Sequence, residues 1–159
     1  MLFIFAGFRF TIYLRIKKFL KTKNKLLYNV ARLYLRQMSY KFGIDMYDST
    51  VLGKGFYIGH FGGIVINGGT QFGDNVNISQ GVTIGRIKDG KHMGTPVIED
   101  NVWIGANTVI VGGIIIGANS TIAPCSFVNF NVPENSLVMG SPGKIVKENY
   151  INRNINNTV

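Results

Sequence analysis

Residues 96–124 read PVIEDNVWIGANTVIVGGIIIGANSTIAP, and an aliphatic side chain returns in them at every sixth position: Ile98, Ile104, Ile110, Ile116 and Ile122. Neither an amphipathic helix nor a long alternating strand has that period. Short strands separated by turns do have it. They wind into a prism in which the repeating aliphatic points inward and stacks on its copies one coil above and below. Glycine and asparagine, as in IGANTV and IGANST, supply corners where positive φ is cheap. Valine, isoleucine and threonine suit the strands between them.

The series runs on in both directions, through Leu52, Ile58, Ile66, Phe72, Ile78 and Ile84 upstream and Val128 downstream. An ordinary β-sandwich, the alternative, does not place twelve hydrophobic residues in phase. Two breaks interrupt the phase: two extra residues near Ile64, and the segment from Arg86 to Thr95. The pattern predicts an all-β solenoid over residues 43–147 with a loop at 86–96. Such solenoids need capped ends and often assemble side by side.

A chain of 159 residues is one domain by default. Its formal charge of +9 is uneven: residues 1–41 hold ten Lys/Arg and no acid, and the other 118 hold seven Lys/Arg and eight Asp/Glu. Residues 1–42 therefore form a basic arm, helical around Leu26, Leu27, Val30, Ala31, Leu33, Tyr34 and Met38. A cationic amphipathic segment can lie on an anionic membrane surface. It can equally cap the open end of the prism with its lysines in water, and the two roles are compatible. Nucleic-acid binding is not expected, because the charge comes with no recognisable binding module. The opening MLFIFAGFRF, broken at Arg9 and again at Arg15, is too short to span a bilayer and no cleavage site follows it. With Cys125 as the single cysteine, an unprocessed cytoplasmic protein is expected, at most peripheral on the inner face of the membrane. The Asn-rich segment 148–159 reads as a flexible tail.

Two histidines carry the candidate chemistry. In YIGHFGGIVINGG, residues 57–69, Ile58 points inward and Gly59 turns, so His60 emerges outward. That position does not suit a core histidine. His92 lies in the looped GRIKDGKHMGTP. Two histidines thirty-two residues apart do not make the three-ligand set of a catalytic zinc, so no metal is expected.

GIVI, GDNVNISQGVTIG, PVIEDNVWIGANTVIVGGIIIGANSTIAP and VMGSPGKIV follow one another in the order of the hexapeptide-repeat acyltransferases, and the chain resembles that family. Its nearest likeness is to the serine acetyltransferases and their relatives in polysaccharide biosynthesis. The resemblance implies a left-handed parallel β-helix with an N-terminal helical arm, a homotrimer, and acetyl-CoA as donor. It makes His60 the general base and Asp45, fifteen residues earlier, the carboxylate that orients it. Taken alone, Asp45 reads as a cap or turn residue entering the first coil. An alcohol needs such a base to lose its proton as the new bond forms, and a carboxylate on the far ring nitrogen fixes the tautomer.

The same resemblance assigns Gly85, Ala106, Ala123 and Pro124 to the small walls of a coenzyme A groove, and Lys144 to the nucleotide phosphates. Trp103 packs beside that groove or at a subunit contact. His92 becomes an acceptor-binding residue on a loop that reaches a neighbouring subunit, and a rival for the role of base. Three departures stand out. Gly59 occupies the place of an aspartate, and Gly94 and Thr95 occupy the places of an Arg-His pair that contacts serine. They argue against free serine and for a sugar hydroxyl, on a cell-surface polysaccharide or lipid-linked glycan. Serine O-acetyltransferase is the alternative, and a non-catalytic hexapeptide scaffold is the alternative from another class.

Overall fold

The computed structural model describes residues 6–152. Helices α1 (Ala6–Leu20) and α2 (Lys25–Phe42) precede fifteen short strands. The first face of the prism stacks β1 (Ile44–Met46), β4 (Ile64–Ile66), β7 (Thr83–Gly85), β10 (Val109–Val111) and β13 (Phe127–Val128). The second stacks β2 (Val51–Leu52), β5 (Gln71–Phe72), β8 (Val97–Ile98) and β11 (Ile115–Ile116). The third stacks β3 (Tyr57–Ile58), β6 (Asn77–Ile78), β9 (Trp103–Ile104), β12 (Thr121–Ile122) and β14 (Leu137–Met139), with β15 (Lys144–Lys147) antiparallel at its end. All other pairings between these strands are parallel, so the expected solenoid is the observed fold.

The register explains both phase breaks. Val109 pairs with Phe127, eighteen residues on, which is three hexapeptides per coil. Ile44 pairs with Ile64, twenty residues on. Thr83 pairs with Val109, twenty-six residues on. The two extra residues of the first coil fall in the turn that carries His60, and the eight of the third coil form the loop after Gly85.

Ile66, Ile84, Ile98, Ile104, Ile110, Ile116 and Ile122 are almost fully buried in one continuous core. Met46 opens the series one step before Leu52. A second buried row sits two residues before the first, at each corner. It mixes aliphatics such as Ile64, Val82 and Val102 with Thr108, Ser120, Ser126 and Ser136. That mixture hides the row from a hydrophobic period. Some of the hydroxyls are satisfied by corner carbonyls: Ser126 Oγ donates to Ala123 O at 2.7 Å and Ser120 Oγ to Pro133 O at 2.9 Å, whereas those of Thr50 and Thr70 in the same row have no hydrogen-bond partner among the described residues.

At the corner between the second and third faces, Asn75, Asn101, Asn119 and Asn135 all adopt positive φ, near 55–59°. Their side-chain amides form a ladder with steps of 3.2, 3.1 and 3.2 Å. Asn101→Ala removes two rungs and forces alanine into the left-handed region. It is expected to cost roughly 1–2 kcal/mol in a urea titration. Asn101→Gly, which relieves the backbone strain, is expected to cost less. Tyr150 N donates to Asn135 O, and the Asn152 side chain donates to Asn101 O and Ser120 O. The described end of the segment expected to be flexible thus runs along this corner. Residues 153–159 of that segment lie outside the described residues.

The arm covers the open end of the first coil. Phe10 and Leu14 of α1 are buried against the prism. Gly7 is needed there, since a Cβ would come within 2.5 Å of Ile58 O. Arg15 donates to the Leu52 and Gly53 carbonyls, which face the open end. Lys17 and Lys21 flank Asp48 at 3.7 and 3.8 Å. The Asn24 side chain caps α2 by accepting from Leu27 N at 3.0 Å, and Gly43 ends it at φ 59°. No described helix is long and apolar enough to cross a membrane.

Candidate functional site

His60 sits in the turn between β3 and β4, and its side chain is exposed. The turn beneath it is clamped from two sides. Ile64 N donates to Gly43 O at 2.9 Å, which ties it to the end of α2. Gly81 N donates to Gly62 O at 2.8 Å, which ties it to the next coil. The Phe61 ring stands edge-on to Phe42 with centroids 5.1 Å apart. Gly62 and Gly63 both have positive φ, and a Cβ on Gly43 would lie 3.1 Å from Gly63 N. Backbone meets backbone here, so the helix terminus sets the position of the histidine turn. Gly59 is different: a Cβ there would make ordinary contact with the Tyr57 ring at 3.4 Å. Geometry does not demand glycine at that position.

Asp45 is the exposed centre of β1, between buried Ile44 and Met46. It lines a cavity of about 550 Å³ at the junction of arm and prism, together with Lys17, Arg32, Arg36, Tyr40 and Gly63. Gly63 and Ile64, directly after the histidine turn, line the same cavity. Among the described residues no hydrogen bond or ion pair joins Asp45 to His60. That Lys17, Arg32 and Arg36 line one cavity with Asp45 was not legible in the sequence, because it depends on how α1 and α2 dock.

The corner that carries His60, between the third and first faces, continues through residues 79–82, 105–108 and 123–126. Turn 140–143 closes it, with Phe127 N donating to Gly140 O and Gly143 N to Phe127 O. Ala106, Ala123 and Pro124 therefore share the edge of His60, and Lys144 follows its last turn. Two coils separate His60 from Ala106, roughly 10 Å at the usual strand spacing. Gly85 and His92 belong elsewhere. Gly85 ends β7 at the opposite edge of the first face, where the loop begins. The loop folds back on its own prism: Ile87 and Gly94 form an antiparallel bridge, and Gly113 N donates to His92 O at 2.8 Å. Within one protomer, His60 and His92 thus stand at opposite edges of one face. Among the described residues no three His, Cys, Asp or Glu side chains gather as a metal site.

Residues 95–129 match the family model described as bacterial transferase hexapeptide (six repeats). The chain belongs to the bacterial hexapeptide-repeat transferases. It is 39% identical over 124 residues to a serine acetyltransferase of Staphylococcus xylosus, covering 78% of this chain and 57% of that protein. The solved serine acetyltransferase of Neisseria gonorrhoeae in complex with serine matches with a TM-score of 0.78 at 36% identity, over 91% of this chain and 58% of that one. The serine acetyltransferase of Brucella abortus in complex with coenzyme A matches with a TM-score of 0.80 at 32% identity, over 91% and 57%. The chain spans about three fifths of the length of the curated relatives it matches.

These matches correct the expected acceptor. The sugar and polysaccharide reading, drawn from Gly59, Gly94 and Thr95, does not stand; the relatives are serine acetyltransferases, the stated alternative. The physical reason is that three missing side chains do not exclude a charged acceptor. Ammonium and carboxylate can be met by groups from other segments, and the loop itself presents exposed Arg86, Lys88 and Lys91.

Proposed function

We propose that this chain is an acetyl-CoA-dependent serine O-acetyltransferase that works as a homotrimer in the cytoplasm. The observation that carries the reading is His60: outward, exposed, and clamped on a glycine turn at the head of the edge that also holds Ala106, Ala123 and Pro124. Coenzyme A lies along that edge with its phosphates toward Lys144, and its thioester reaches His60.

The imidazole takes the proton of the serine hydroxyl as that oxygen attacks the thioester carbonyl. Backbone N–H groups meet the charge that grows on the carbonyl oxygen. The carbon–sulfur bond then breaks and the imidazolium returns its proton to the leaving thiolate. O-acetylserine and coenzyme A result. Asp45 orients the imidazole through its second nitrogen. His92 and the loop lysines come from a neighbouring copy and hold the acceptor, because a single protomer keeps the two histidines apart.

Thiol release from acetyl-CoA is the direct test. It is expected to depend on added L-serine and to follow saturation kinetics. No serine-dependent release from a folded protein overturns the reading. Sedimentation is expected to give a particle about three times 17.6 kDa. A monomer that acetylates serine would sink the shared site.

A further inference from the structure

We propose that the outer face of the α1–α2 layer is a docking surface for an anionic lipid bilayer. The inference is independent of the acetyl-transfer reading and turns on Leu26, Val30, Leu33 and Phe19, which that reading does not use.

Helix α2 carries three stripes. Ala31, Leu35 and Met38 are buried against α1 and the prism. Lys25, Arg32 and Arg36 recur at helical spacing along a second stripe. Between these two runs a third, formed by Leu26, Val30 and Leu33, which are 74%, 58% and 59% exposed. An ordinary surface helix has one apolar stripe and spends it on the core; this one has a second with nothing on it. Helix α1 extends the same character. Phe10 and Leu14 face the prism, while Ile16 and Phe19 are exposed on the far side, Phe19 at 66%.

The charge around these side chains selects the occupant. Residues 1–41 hold ten Lys/Arg and no Asp or Glu. Among the described residues the carboxylate that forms ion pairs with the arm is Asp48, flanked by Lys17 and Lys21. A second copy of this layer would set like charges against like, with no acid to offset them. A nucleic acid would leave the large apolar side chains in water. An anionic bilayer satisfies both halves: leucine, valine and phenylalanine enter the interface while lysine and arginine meet the headgroups. Since no described helix can cross a membrane, the contact is peripheral. The exposed side chains belong to helices that already cap the prism, so docking needs no unfolding.

Flotation of the full chain with vesicles tests this, using phosphatidylcholine alone or with about 30 mol% phosphatidylglycerol. The protein is expected to float with the anionic vesicles, to stay behind with the neutral ones, and to be released by about 0.5 M salt. Two triple variants separate the contributions: Leu26→Gln, Val30→Gln, Leu33→Gln, which keeps the charge, and Lys18→Gln, Lys23→Gln, Lys25→Gln, which keeps the stripe. All six side chains are exposed, so the fold is expected to survive, and circular dichroism checks it. Each set is expected to lower the partition coefficient about tenfold or more. Serine-dependent thiol release in the absence of vesicles is expected to match the parent chain, so that this proposal and the catalytic one fail separately. The proposal is overturned if the parent chain does not float, or if the stripe variant floats as well as the parent. It is also overturned if the parent chain sediments as a larger particle than the stripe variant without partitioning into lipid, because the stripe then joins copies of the chain.

Discussion

His60→Ala is expected to slow serine acetylation by about 10²–10⁴-fold, the usual worth of a positioned general base. The affinity for coenzyme A is expected to stay within about twofold, because the proposed donor edge lies on the later coils and the role proposed for the imidazole is on the acceptor. The turn under His60 is held by Gly43 O, Gly62 O and the Phe42–Phe61 contact. None of these involves the imidazole, so alanine should leave the backbone where it is. A loss confined to turnover then reports the proton transfer itself. Asp45→Asn is expected to cost less, since asparagine can still hydrogen-bond the ring but cannot stabilise imidazolium. His92→Ala is expected to act mainly on the KM for serine. If His92→Ala abolishes turnover while His60→Ala retains it, the base has been assigned to the wrong edge.

Ile104→Ala is expected to destabilise the chain by about 2–5 kcal/mol, read as the shift in a urea titration at fixed protein concentration. Ile104 is fully buried on β9 and pairs in register with Ile78 below and Ile122 above. Those neighbours are themselves almost fully buried and belong to strands pinned by ladder hydrogen bonds, so the cavity cannot close by repacking. In a stack whose coils touch only their neighbours, one hole weakens two interfaces. Leu26→Ala removes a side chain of similar size from a site that is 74% exposed, and is expected to cost less than about 0.5 kcal/mol. Equal losses for the two would mean that the inward column does not hold the prism together.

The corner that Ala106, Ala123 and Pro124 share with His60 agrees with the six-residue period: Ile104 and Ile122 point inward, and the residues just after them turn. The same reasoning brings out His60 after Ile58. It did not reveal which corner Gly85 belongs to, because Gly85 follows Ile84 on a different face and the loop begins there. Nor did it choose the acceptor. The departures at Gly59, Gly94 and Thr95 pointed to a sugar, whereas the relatives are serine acetyltransferases; side chains missing at three positions do not exclude charged groups supplied by other segments.

By itself the sequence determined the solenoid, its six-residue period and the outward direction of His60. Those follow from a strictly local rule: successive side chains on a strand point to opposite faces, so a repeated inward residue sets the direction of every residue around it. Only the tertiary structure decided how the arm meets the prism. It placed Gly43 against Gly63, brought Lys17, Arg32 and Arg36 into the lining of one cavity with Asp45, and left Leu26, Val30 and Leu33 uncovered. These contacts join segments that no period links. They arise from close packing of a helix pair on the end of a stack, where shape and the available backbone partners, not hydrophobic order along the chain, select the arrangement.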